Sequence, residues 1–228
     1  MYALEIREKE IFETLKKIKS IEFVIIGGYA VNVYTLPRFS IDCDIVIKNT
    51  ASSEKIETIL LLEGYVKTEE SKVKTPYHGE FIRYEKVIEK DFKVSFDILI
   101  NKIVDRQTGA VLSAEWVFEH SSEKELKGKV VSEKIKVKVP TVESLIVMKM
   151  LSCRNTDIRD IFMMIDKVKS KEFVHEEVSK RTNFQKQFKK IKEKILSTTF
   201  KNNLQGVFGL IQETTFQNNK EKILRLEE

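Results

Sequence analysis

The sequence predicts an α+β chain in two parts. Strands and helices are interspersed over residues 1–139, and a helical domain follows over residues 140–228. Three observations carry that reading. Period-two runs such as FKVSFDILI at 92–100 place apolar side chains on alternate positions, as strands do. That alternation stops at Pro140, and from Thr141 onward the apolar residues recur with helical period. No proline follows Pro140, so nothing interrupts the helices expected there.

Residues 4–19 read as an amphipathic helix, with Leu4, Ile11, Leu15 and Ile18 near one face. Residues 22–26, EFVII, form a short strand ending at Gly27-Gly28, and a helix follows through Ala30–Leu36 until Pro37 stops it. A second strand spans 41–47. A helix over about 52–62, capped by Ser52 or Ser53, ends at Gly64. Strands follow at 80–88 and 92–100, with turn material around Asp91. Residues 110–127 stay ambiguous, and KVVSEKIKVKV at 129–139 reads as a strand pair or one half-exposed strand. Helices are expected near 141–152, 156–169, 172–181, 184–199, 203–212 and 217–226.

Composition narrows the class. The chain has 228 residues, 42% hydrophobic and 33% charged, enough for a sizeable core in one large domain or two. No apolar run reaches the ~18 residues a membrane span needs, and MYALEIREKEIFETL lacks the apolar stretch of a secretory signal. Cys43 and Cys153 lie far apart without metal-type spacing, which fits a reduced, cytoplasmic chain. His78, His120 and His175 are scattered and suggest neither a zinc site nor a triad. The net charge of +5 is uneven: residues 1–139 hold 23 basic and 23 acidic side chains, residues 140–228 hold 17 and 12. The C-terminal part is thus where an anionic partner such as nucleic acid would meet the chain, although many basic surfaces are only solvated.

The chemistry-bearing stretch is GGYAVNVYTLPRFSIDCDIVI, residues 27–47. On a strand, Ile41, Cys43, Ile45 and Ile47 share one face, while Asp42 and Asp44 point together to the other, roughly 6.5–7 Å apart. Two like charges so placed repel, and a bound divalent cation relieves the repulsion. In FKVSFDILI, Asp97 likewise stands on a polar face with Lys93, Ser95 and Leu99. If the two strands are neighbours, Asp42, Asp44 and Asp97 converge as a candidate site for one or two magnesium or manganese ions. A DxD pair alone is common on surface strands and a lone strand aspartate is usually solvated; the context carries the argument. Gly27-Gly28 stands where a strand hands over to a helix, a place suited either to a phosphate or to a plain tight turn. Arg38 and Ser40 precede the aspartates and could add donors to a phosphate.

The order GG … RFSIDCD … FDILI resembles the nucleotidyltransferase superfamily of DNA polymerase β-like fold, and within it the AbiEii-like and minimal nucleotidyltransferase toxins of prokaryotes. The resemblance implies a mixed sheet flanked by helices. It also implies nucleoside triphosphate binding by Gly27 and Gly28, metal binding and catalysis by Asp42, Asp44 and Asp97, and further nucleotide contacts from Arg38, Ser40, Lys149 and Asp160. Lys149 and Arg159-Asp160 match a helical motif of that branch; a further aspartate usual three positions on is Met163 here. From the residues alone, Lys149 sits on the stripe Val142, Leu145, Ile146, Lys149, so it must snorkel, reach a phosphate, or pair with Asp160 or Glu143. Asp157 reads as a helix cap. In FQKQFKKIKEKIL, Lys186, Lys190 and Lys194 form a basic row that fits either an RNA backbone or plain solvation.

The expected activity is transfer of a nucleotide from a nucleoside triphosphate to an acceptor hydroxyl on tRNA or protein, or on a small molecule. The chain would be the toxin of a toxin–antitoxin or phage-defence system, with an antitoxin protein as candidate partner and no membrane. A non-catalytic nucleotide- or RNA-binding protein of the same fold is the alternative, and metal-dependent phosphodiester hydrolysis a third. The base, the acceptor, the oligomeric state and the role of the last 60 or so residues are not legible.

Overall fold

A computed structural model describes residues 2–68, 80–89 and 92–227. The turn expected around Asp91 lies outside the described residues. The chain divides into two compact units. The first contains residues up to Val33, Pro37–Val104 and Val111–Pro140; the second contains Tyr34–Leu36, Asp105–Ala110 and Thr141 onward.

The first unit is built on a five-stranded mixed sheet: β1 (Val24–Ile25), β2 (Asp42–Ile47), β3 (Val66–Lys67), β4 (Glu80–Glu89) and β5 (Phe92–Ile100), in the order β1-β2-β5-β4-β3. β2 and β5 run parallel, and the other pairings are antiparallel. The alternation seen in the sequence decides which face is buried. Cys43, Ile45 and Ile47 of β2 stand beside Phe96, Ile98 and Ile100 of β5, and all are fully or almost fully buried. Helices α1 (Tyr2–Ile18) and α3 (Thr50–Leu62) pack on the sheet. Tyr65 meets Phe96 edge-on with ring centroids 5.6 Å apart. Between them in sequence, α2 (Gly27–Tyr34) begins at the glycine pair itself, earlier than the apolar pattern indicated, because Gly27 takes a positive φ of 64° that turns the chain directly from β1 into the helix. The cap of α3 is Asn49, whose side chain accepts from the backbone N–H of Ser52; the serines follow the cap rather than make it.

Short hairpins complete the unit. β6 (Lys102–Val104) pairs with β7 (Val111–Ser113), α4 (Ala114–Glu119) follows, and β8 (Ser121–Leu126) pairs with β9 (Ile135–Pro140). Only the second half of 129–139 is therefore strand. The first half is clasped by Glu8 on α1, whose carboxylate accepts from the backbone N–H groups of Lys129, Val130 and Val131 at 2.7–3.0 Å.

The second unit is helical: α5 (Val142–Ser152), α6 (Asn155–Met164), α7 (Lys171–Ser179), α8 (Phe184–Leu196), α9 (Phe200–Phe208) and α10 (Glu213–Leu224). α5 buries Val142, Leu145, Ile146, Val147, Met150 and Leu151, nearly its whole circumference rather than a single stripe. Phe162 of α6, Phe200 of α9 and Phe216 of α10 form an aromatic cluster. Among the described residues no helix is long and apolar enough to cross a membrane.

Candidate active site

The strand alternation that buries Cys43 and Phe96 also turns Asp42, Asp44, Ser95 and Asp97 to the opposite face. The parallel register places Asp42 beside Ser95 and Asp44 beside Asp97. Asp42 and Asp44 are half-buried, and Asp97 is 5% exposed. The Ser95 hydroxyl donates to the Asp42 carboxylate. Asp97 is gripped from the other side: Arg83, its cross-strand neighbour on β4, donates Nε to Oδ1 and Nη2 to Oδ2, both at 2.7 Å. A planar guanidinium matches a carboxylate in this two-pronged way.

Below the acids the Cys43 thiol is completely buried. Burial first, then Asp44, Asp97 and Asp42, push it well above its usual range, so it stays a protonated, structural thiol. Arg7 of α1 approaches from another direction. Its Nε donates to the carbonyl of Lys93 at 2.9 Å, and its guanidinium lies 4.1 Å from the centre of the Phe92 ring. Burial lowers the Arg7 pKa, while Tyr29 and Asp42 pull in the other direction.

The glycine pair belongs to the same place. A Cβ on Gly27 would run into the Asp44 carboxylate, and one on Gly28 would run into the Ser40 hydroxyl and press on Arg38. The loop carrying Arg38 and Ser40 is pinned to α2 through Asn32, whose Nδ2 donates to the Arg38 carbonyl at 2.9 Å and whose Oδ1 accepts from the Arg38 N–H at 3.1 Å. The start of α2, Ser40, Arg38, Asp42, Asp44 and Asp97 thus lie around one end of β2.

Lys149 and Asp160 lie in the helical unit, in a closed cluster. The Lys149 ammonium sits 2.9 Å from both Asp157 and Asp160, and the three residues are 9%, 5% and 1% exposed. Burial lowers the Lys149 pKa, but Asp160 and Asp157 outweigh it and the net shift is upward. Of the possibilities weighed for Lys149, pairing with Asp160 is what the structure contains. Asp157 joins in, while also accepting from the Arg154 N–H at the start of α6.

The acids on the sheet offer only hard oxygen donors, which suits magnesium or manganese rather than a soft metal. Even so, among the described residues no three acidic, imidazole or thiol side chains are gathered closely enough to hold a metal ion as they stand. Asp97 is turned to Arg83 and Asp42 to Ser95 instead. The sequence reading had not singled out Arg83, Ser95, Asn32 or Arg7. Ser95 was legible as the residue two before Asp97 on the same face; Arg83 needed the β4–β5 register.

Against known proteins, the profile of the nucleotidyl transferase AbiEii toxin family, of type IV toxin–antitoxin systems, matches residues 12–227. The chain belongs to that family. The fold of this AbiEii-family enzyme resembles solved structures that include a nucleotidyltransferase toxin. MenT4, a nucleotidyltransferase toxin from Mycobacterium tuberculosis H37Rv, aligns with a TM-score of 0.58 at 10% identity, over 100% of this chain and 85% of its own. JHP933 from Helicobacter pylori aligns with a TM-score of 0.50 at 13% identity, over 98% of this chain and 91% of its own. A comparison with curated protein sequences gives no match. The family membership establishes the chain as a nucleotidyltransferase of the toxin type and agrees with the polymerase β-like fold class the sequence predicts.

Proposed function

We propose that this chain moves a nucleoside monophosphate from a nucleoside triphosphate to an acceptor hydroxyl, and that it acts as a toxin. The observation that carries the reading is the parallel β2–β5 register, which lines up Asp42 and Asp44 with Ser95 and Asp97 beside the Gly27-Gly28 turn. The triphosphate lies at the start of α2, where the turn leaves no room for a Cβ and helix N–H groups favour an anion. Ser40 and Arg38 add donors there. Asp42 and Asp44 would hold a divalent cation, with Asp97 as third ligand; such a cation would supply charge neutralisation at the phosphates and would lower the pKa of the acceptor hydroxyl. The acceptor oxygen forms a bond to the α-phosphorus, the bond from that phosphorus to the β-phosphate oxygen breaks, and pyrophosphate leaves. Asp97 or solvent takes the hydroxyl proton.

The acceptor on this reading is RNA, tRNA foremost, with a protein hydroxyl as the competing possibility. The basic row supports RNA. Lys186 and Lys190 on α8 are exposed and Lys194 is half-buried. An open cavity of about 420 Å³ alongside is lined by Lys190, Lys194, Glu193, Asn155, Ser197 and Thr199 among others. Lysines along a groove meet phosphates without reading sequence. The family's place in type IV toxin–antitoxin systems supports an antitoxin as partner.

A non-catalytic nucleotide- or RNA-binding role is the second reading. It is favoured by the two-pronged hold of Arg83 on Asp97 and by Met163. Incubation with labelled ATP, GTP, CTP or UTP, magnesium and total tRNA separates the two. Label transfer with pyrophosphate release, lost in Asp44→Asn, supports the enzyme. Nucleotide or RNA binding without transfer, unchanged by Asp42→Asn, supports the binder.

A further inference from the structure

The geometry points to Arg83 as a resident stand-in for the metal: its guanidinium neutralises Asp97 until a cation arrives, and Asp97 joins Asp42 and Asp44 around that cation only as Arg83 lets go. The proposal rests on the catalytic reading above and adds a residue that the nucleotidyltransferase resemblance does not assign.

The argument starts from the cost of burial. Asp97 is 5% exposed, and a carboxylate that deep must be compensated. Its register neighbour on one side is Asp44, an acid that only adds to the repulsion. On the other side stands Arg83, with both nitrogens 2.7 Å from separate Asp97 oxygens. One carboxylate oxygen is not left aside for a cation; each carries a guanidinium donor. The same pairing explains why three acids brought to one face do not form a ready-made cluster. Arg83 also reaches solvent: a quarter of its side chain is exposed, against 7% for Asp97.

The rival role for Arg83 is support. Each carboxylate oxygen has a second lone pair, so Arg83 could hold Asp97 in the right orientation while a metal takes what remains. The two roles predict opposite signs for metal affinity. If Arg83 competes, its removal tightens metal binding; if it supports, its removal weakens it.

The test titrates the full chain with Mn²⁺ and no nucleotide, following bound Mn²⁺ by electron paramagnetic resonance or calorimetry. Arg83→Gln should bind Mn²⁺ at least about tenfold more tightly than wild type. Arg83→Lys, which keeps a charge but loses the fork, should fall between. The gain in Arg83→Gln should vanish when Asp97→Asn is added. General damage to the fold weakens binding and does not tighten it, and if Arg83→Gln does not fold, Arg83→Lys alone decides the sign. Unchanged or weaker Mn²⁺ binding, or no binding in any variant, overturns the proposal. Failure of the catalytic reading looks different: wild type transfers no label, whatever its Mn²⁺ affinity.

Discussion

The face of β2 and β5 and the cluster under α5 both gather buried charge, yet they use it in opposite ways. On the sheet, Asp42 and Asp44 are half-buried and reachable from solvent, and Asp42 is held by a neutral hydroxyl. Under α5, a lysine lies between two aspartates and all three residues are nearly shut off from water. A buried ion pair that closes on itself restrains the fold, whereas acids left facing solvent keep the capacity to take a cation from outside. The contrast bears most on Lys149. A lone lysine on an apolar helix reads, in sequence, either as a buried ion-pair partner or as a phosphate-binding residue, and the structure contains the ion pair.

The comparison breaks first at Asp44. Asp44→Asn keeps the shape and removes the charge, so nucleotide transfer should fall by at least ~10³-fold, on the order of one lost electrostatic element of a phosphoryl-transfer site. The melting temperature should hardly change. Transfer at wild-type rates would show that the sheet acids are structural.

Lys149→Met is the matching change in the other region. It leaves two carboxylates buried without their shared cation, at a cost of ~3–5 kcal/mol. For a chain of this size that lowers the melting temperature by roughly 10 °C or more. Adding Asp157→Asn and Asp160→Asn should recover much of the loss. If the triple variant is stable but has lost nucleotide affinity measured by calorimetry, Lys149 and Asp160 regain the nucleotide-binding role their helical motif suggested.

How much of this was legible depended on range. Period-two alternation placed Asp42 and Asp44 on one face and Asp97 on the polar face of its own strand, because that periodicity is local. The register that sets Asp44 beside Asp97 joins segments some fifty residues apart, and no local pattern encodes it. Arg83 was silent for the same reason, being one of several charges on an alternating strand. Around Lys149 the apolar stripe did not choose between pairing and phosphate contact, because α5 is buried on almost every side and position on the helix does not mark a cleft. At α3 the Asn49 cap was missed for a smaller cause. The serines at 52 and 53 are equally good capping residues, and only the extended backbone at Asn49, at φ −154°, decides between them.

A pair of glycines sharpens the contrast between strain and function. Gly27 and Gly64 both hold positive φ, at 64° and 84°. Alanine at either should cost roughly 1–2 kcal/mol of stability from the left-handed backbone alone. At Gly64 a Cβ would meet nothing closer than the Lys86 Cε at 3.9 Å, so activity should survive. At Gly27 the Cβ would collide with the Asp44 carboxylate. Gly27→Ala should therefore lose transfer activity beyond anything Gly64→Ala loses at equal melting temperature. Equal activity in the two would sever the glycine turn from the site.

The smallest expected effect concerns acid stability and belongs to the helical unit alone. Glu177 on α7 is buried, which by itself raises its pKa, but Lys180 at 2.6 Å and Arg181 at 2.7 Å outweigh that and hold its carboxyl below the usual range. A carboxyl depressed in the folded state contributes stability above its unfolded value, near ~4.3, and loses it as the pH falls through the folded value. Glu177→Gln should remove at most ~1 kcal/mol at neutral pH, since Lys180 is largely exposed and screened. It should also flatten the fall in melting temperature below about pH 4.5, read as the difference between wild-type and variant melts from pH 7 to pH 3. Glu177, Lys180 and Arg181 are not among the candidate site residues, so this variant should transfer nucleotide like wild type at pH 7. A loss of transfer in Glu177→Gln at unchanged melting temperature would mean that charge in the helical unit serves the reaction as well as the fold.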